Sequence, residues 1–151
     1  MKAVAQRVSR AAVQVDGVTI GEIGAGFVLL VGVEHADTDA EAEALADKLL
    51  GLRVFGDAEG NMNRSLRDVG GAVLVVSQFT LLAALRRGRR PSFTAAAPPE
   101  MAEPLVDAVV ARIGSAGVEV ATGRFGARME VELVNDGPVT VLFDIVDGRV
   151  R

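Results

Sequence analysis

The sequence predicts a single α/β domain spanning residues 1–151, with more strand than helix. Three observations carry that prediction. Short β-prone apolar runs separated by turn residues recur along the whole chain, and only two stretches have apolar residues at helical spacing. No linker, internal repeat or low-complexity tract divides the chain. A chain of 151 residues is also long enough to bury roughly 70% of its unfolded surface, so a core needs no staples.

The elements follow in order. Residues 2–34 have β character: AAVQV (11–15), an Asp16-Gly17 pair suited to a two-residue hairpin turn, VTIGEI (18–23), a Gly24-Ala25-Gly26 break and the fully apolar FVLLVGV (27–33). Thr38 and Glu41 have capping-box spacing, and Ala42, Leu45, Ala46, Leu49 and Leu50 then recur on one helical face until Gly51. LRVF (52–55) is a short strand and GDAEGNMN (56–63) a polar loop. AVLVVSQFTLL (72–82) is expected as a central strand covered on both faces, because its apolar run is unbroken. Met101, Leu105, Val109, Val110 and Ile113 mark a second helix, with Pro104 implying a start near Glu103 or a kink there. VEVA (118–121), RMEVELV (128–134) with Met129, Val131 and Leu133 on one face, and VTVLFDIV (139–146) complete the strands. NDGP (135–138) sits between the last two.

Composition excludes several chemistries. There is no Cys, hence no disulfide, thiolate nucleophile or Cys-ligated zinc, and the only His is His35, in the polar segment before the first helix. That His reads as a loop or capping residue, and VSQF is not a nucleophile elbow, so a serine triad is not supported. Scattered carboxylates show no metal-ligand spacing and no acid/base pair, and no metal or cofactor is expected. Gly24, Gly26, Gly70 and Gly71 lie in turn contexts and make no phosphate loop. No run of about 18 apolar residues occurs and MKAVAQRVSR lacks a signal-peptide core, so the expected location is cytoplasmic, with no membrane partner. A net charge of −4 argues against indiscriminate polyanion binding but leaves a local basic patch possible, and no DNA partner is expected.

Two motifs remain. Ser77, Gln78 and Thr80 interrupt an apolar run, and each such group costs roughly 1–3 kcal/mol if buried without a partner. Either the strand end emerges into a satisfied hydrogen-bond network, or its main-chain N–H groups form an oxyanion pocket. As a strand, Ser77, Phe79 and Leu81 would face one side, and Gln78 and Thr80 the other. The RRGRR stretch, with Arg86, Arg87, Arg89 and Arg90 around Gly88, is either a solvated loop or a set of forks for RNA phosphates.

Together the motifs resemble the D-aminoacyl-tRNA deacylase family. SQFTL (77–81) and NDGPVT (135–140) are similar to its two signature motifs, and QRVSRA (6–11), MN (62–63), RPSF (90–93), AAPPE (96–100) and TGRFGA (122–127) follow the same order. The likeness spans essentially the whole chain. Ala84 and Leu85 depart from it, standing where members often carry a polar pair. The resemblance implies a homodimeric α/β fold with a strand-rich, barrel-like sheet and two main helices. It also implies hydrolysis of the ester joining a D-amino acid, and by extension glycine, to the 3′ end of tRNA. Ser77, Gln78, Phe79 and Thr80 would then line the catalytic pocket, Thr80 being most often cast as nucleophile. With no neighbouring base, positioning and main-chain stabilisation are the favoured roles. Gly137 and Pro138 would form a Gly–cis-Pro element inserted into the partner subunit's pocket to screen chirality. Arg7 would hold that element, its other reading being a surface arginine on a strand. A non-catalytic module sheltering the aminoacyl end of tRNA, or a metabolite-binding dimer, remains open at this point.

Overall fold

A computed structural model describes residues 1–86 and 88–151. The strands are β1 (Lys2–Val15), β2 (Val18–Ile23), β3 (Gly26–Gly32), β4 (Phe55–Gly56), β5 (Met62–Arg64), β6 (Ala72–Ser77), β7 (Val120–Thr122), β8 (Glu130–Val146) and β9 (Arg149–Val150). The helices are α1 (Asp39–Gly51) and α2 (Pro99–Ser115), with a 3₁₀ turn at Phe79–Leu82. Among the described residues the main sheet runs β7-β6-β3-β1-β8-β9 with β2 beside β1, and β4–β5 form a small hairpin. The sheet curls into a half barrel.

The curl starts in β1. Its register against β8 slips between Gln6 and Val8 and again between Val8 and Arg10. A one-residue slip moves a strand's side chains to the opposite face. Ala3 and Ala5 accordingly enter the core shared with α1 and α2, whereas Val8, Ala11 and Val13 enter a second core on the other face. β6 lies between β3 and β7 with Val73 and Val75 in the first core and Leu74 and Val76 in the second, as its unbroken apolarity predicts. At Gly26 a Cβ would stand 1.8 Å from the Ala72 carbonyl oxygen, so only glycine lets β6 start this close to β3.

α1 starts as its capping box requires. The Glu41 carboxylate accepts from the Thr38 N–H at 2.7 Å, and Ala42, Leu45, Ala46, Leu49 and Leu50 are buried. Three other expectations need correction. α2 begins at Pro99, not near Glu103: the prolines at 98 and 99 start it where N–H groups have no intrahelical acceptor anyway, and Pro104 is carried inside at the loss of one bond. Its buried stripe is Ala102, Val106, Val109 and Ile113, with Met101 exposed. VSQFTLL is not strand throughout. β3 stops at Gly32, the last bond joins the Gln78 N–H to the Val31 carbonyl at 2.7 Å, and the chain then closes into the 3₁₀ turn for want of a further ladder partner. Nor does NDGP separate two strands, since β8 runs through it without ending.

Candidate active site

β3, β6 and β7 are mutually parallel neighbours, so their carboxyl ends fall on one edge of the sheet, the usual place for a ligand in such an arrangement. A cavity of about 410 Å³ lies beyond them. Val31 and Val33 come from the end of β3, Ser77, Gln78 and Phe79 from the end of β6, Phe125 and Gly126 from the turn after β7, Ala97 from the segment before α2, and Ala102 and Val106 from its first turns. The size is that of a small-ligand site. Of the six phenylalanines in this chain without Trp or Tyr, three line it: Phe79, Phe93 and Phe125. Phe79 and Phe93 meet edge to face with centroids 5.0 Å apart, and Phe79 is 58% exposed at the mouth.

A second recess, about 220 Å³, shares Ser77, Gln78, Phe79 and Gly126 with the first and continues to Met129 and Val131. The Ser-Gln-Phe segment is thus the partition between an aromatic chamber and a smaller one. Just beyond it the 3₁₀ turn exposes main-chain donors. The N–H of Leu81 goes to the Gln78 carbonyl at 3.2 Å and that of Ala83 to Thr80 at 3.2 Å, while among the described residues no acceptor takes the N–H of Phe79 or Thr80. Gln78 Nε2 donates to Thr80 Oγ1, tying the two polar side chains together. The expected alternation of faces therefore does not hold. Thr80 lines neither chamber and is solvent-exposed beside them. His35 is exposed in the turn between β3 and α1, away from both.

The Gly137–Pro138 segment lies elsewhere in the chain's own fold. β1 and β8 pair at Gln6 with Thr140 and at Val8 with Asn135, so Asp136, Gly137, Pro138 and Val139 stand opposite Arg7 alone. The surplus is extruded as a bulge with exposed Asp136, Gly137 and Pro138 at its tip, and the Gly137–Pro138 peptide is cis. At Gly137 φ is +139°, and a Cβ would lie 2.7 Å from the Val139 nitrogen. Arg7 reaches this bulge from β1. Its side chain is 14% exposed, Nε donates to the Asp136 carbonyl at 3.0 Å, and Nη1 donates to the Val54 carbonyl just before β4. Neither chamber has a bulge residue in its lining.

Arg86, Arg89 and Arg90 are exposed on a loop whose base is closed by the Ala84–Ser92 bridge, next to Phe93 of the chamber wall; Arg87 falls outside the described residues. The structure thus brings Ser77, Gln78 and Phe79, which the sequence grouped, to the wall of one cavity. Sequence reasoning did not single out Phe93 and Phe125, whose signal was their rarity: two of six aromatic residues, each within a polar loop.

This geometry can be set beside known proteins. The model of the family described as D-Tyr-tRNA(Tyr) deacylase matches residues 4–144. A D-aminoacyl-tRNA deacylase of Roseiflexus castenholzii is 60% identical over 144 residues, covering 95% of this chain and 92% of that protein. One from Chloroflexus aurantiacus is 57% identical over 150 residues, covering 99% and 94%. Among solved structures, a c-Myc DNA unwinding element binding protein superposes with a TM-score of 0.90 at 39% identity, over 97% of this chain and 99% of that one. The fold is also that of a probable eukaryotic D-amino acid tRNA deacylase, with a TM-score of 0.81 at 20% identity over 95% and 98% of the two chains. A match reaching from β1 to the far end of β8 takes in both chambers and the bulge alike, and the chain belongs to the D-Tyr-tRNA(Tyr) deacylase family.

Proposed function

We propose that the chain hydrolyses the ester joining a D-amino acid to the 3′-terminal adenosine of tRNA, and glycyl-tRNA as well, as a proofreading step in translation. The observation that carries this reading is the partition: an aromatic chamber and a smaller one separated by a segment with two main-chain N–H groups that no acceptor among the described residues takes. Nucleobases bind by stacking on aromatic faces, and the 410 Å³ chamber suits the terminal base. The aminoacyl group then occupies the smaller recess, and the scissile carbonyl lies at the Phe79 and Thr80 N–H groups.

Hydrolysis needs little else from side chains. A water attacks the carbonyl carbon, the tetrahedral oxyanion is held by these N–H groups, and the C–O bond to ribose breaks as its oxygen takes a proton. Such donors contribute typically about 2.7–4 kcal/mol each to barrier lowering. The vicinal ribose hydroxyl orients the water or shuttles its proton, so the substrate supplies what the chain lacks. Ser77 and Gln78 fix the partition, and Gln78 fixes Thr80.

Chirality is screened by Gly137 and Pro138 supplied by a second copy, held by Arg7. That no bulge residue lines the chain's own chambers supports supply in trans, as does exposed apolar surface on β8, where Leu142 is 75% exposed. The Gly137 and Pro138 carbonyls take the substrate ammonium, and their bulk fills the space an L side chain needs. Such a wall accepts many D side chains and cannot reject glycine. Arg86, Arg87, Arg89 and Arg90 contact tRNA phosphates.

The test is deacylation of D- and L-charged tRNA at substoichiometric protein, with the mass in solution measured on the same sample. D-esters and glycyl esters should be emptied with turnover by a dimer, and L-esters spared. Protection of the charged tRNA would instead identify a non-catalytic module.

A further inference from the structure

We propose that Asn135 is a positioning residue for chiral discrimination, acting as an internal clasp that holds the Gly137–Pro138 bulge in the direction needed to exclude an L side chain. The inference rests on the deacylase reading above. Where four residues of β8 stand opposite Arg7 alone, ladder pairing is interrupted between the Gln6–Thr140 and Val8–Asn135 pairs. The acceptors left over are the Arg7 carbonyl on β1 and the Val139 carbonyl at the end of the bulge. The Asn135 side chain takes both: Nδ2 donates to Arg7 O at 2.9 Å and to Val139 O at 3.0 Å.

The chemistry selects an amide. Both partners are carbonyl oxygens, so the clasp needs two hydrogens on one atom, which an Asn nitrogen has and a carboxylate lacks. The length selects Asn too, since the nitrogen must span the neck of the bulge from the residue that precedes it. Asn135 holds the bulge from within while Arg7 grips Asp136 from outside. Two restraints on either side of Gly137 and Pro138 leave the segment's direction over-determined. With one removed the segment pivots about the other, and an excluding wall that pivots admits what it should reject.

The experiment measures kcat/KM for D-aminoacyl-, L-aminoacyl- and glycyl-tRNA in Asn135→Asp and Asn135→Ala. Ratios between substrates on one preparation are independent of the active fraction, so partial misfolding cancels. The D-to-L ratio should fall at least tenfold and L-ester cleavage should rise relative to glycyl-ester cleavage, because glycine presents no side chain to the wall. Asn135→Ser, with one donor, should lie between Ala and the unaltered protein. Ratios unchanged in the variants, or failure of all three to fold, would make Asn135 an ordinary structural residue and overturn the proposal. Failure of the deacylase reading is distinct, since the unaltered protein would then leave D-aminoacyl-tRNA intact.

Discussion

At Thr80 the hydroxyl accepts a hydrogen bond from Gln78 Nε2, and the sole imidazole of the chain, His35, lies in a separate turn. An alcohol without a base is a weak nucleophile at neutral pH. Thr80→Ala should therefore retain substantial deacylation. A loss above roughly a thousandfold, comparable with removing a main transition-state contact, together with a trapped acyl-enzyme, would establish covalent catalysis instead. The residues SQFT were legible in the sequence as polar groups in an apolar run. Their arrangement was not, because reading them as strand assigns alternate faces, whereas the 3₁₀ turn brings Gln78 and Thr80 together and leaves two N–H groups that no acceptor among the described residues takes.

The N-terminus of α1 is an element whose stability titrates. The Glu41 carboxylate accepts from the Thr38 hydroxyl and the Gly148 N–H, each at 2.7 Å, which outweighs its burial and lowers its pKa from 4.5 to about 2. The folded pKa lies below the unfolded one, so the contribution is fully present above pH 4.5 and disappears as pH falls toward 2. A depression of this size corresponds to about 3 kcal/mol at neutral pH, the larger part of it gone by pH 3. Urea midpoints at pH 6 and pH 3 should therefore differ more for the unaltered chain than for Glu41→Gln; equal differences would show that the cap does not titrate. This element was readable from local spacing, and so were the hairpin at Asp16-Gly17 and the stripe of α1. β8 was not. NDGP has the composition of a turn, and only pairing on both sides with β1, more than 120 residues away in sequence, keeps the chain extended through it.

For the whole molecule, the balance of charge sets how it meets RNA. The net charge is −4, yet Arg86, Arg89 and Arg90 stand exposed on one loop beside the aromatic chamber. A protein of this charge gains nothing from nonspecific attraction, so on the proposed reading its hold on tRNA rests on that local patch. Replacing these arginines with Gln should weaken tRNA binding, leave the rate from the bound state nearly unchanged, and flatten the dependence of log affinity on log salt by up to about 0.7–0.9 per lost contact. An unchanged slope would return the loop to ordinary solvated surface.

By itself the sequence determined an α/β domain, the capped first helix, a central strand covered on both faces, the absence of any thiol, and the polar segment that falls at the end of that strand. Each of these rests on local periodicity, on composition or on a family likeness carried by short motifs. The tertiary structure alone decided which strand ends converge, that three phenylalanines from separate loops share one chamber, and that Gly137 and Pro138 leave the sheet as a bulge. The physical reason is that a strand's pattern states which side is apolar and not which strand lies beside it. Partner, register and the place where register fails are settled by long-range hydrogen bonding, and here the chambers form where parallel strands end together and the bulge where register fails.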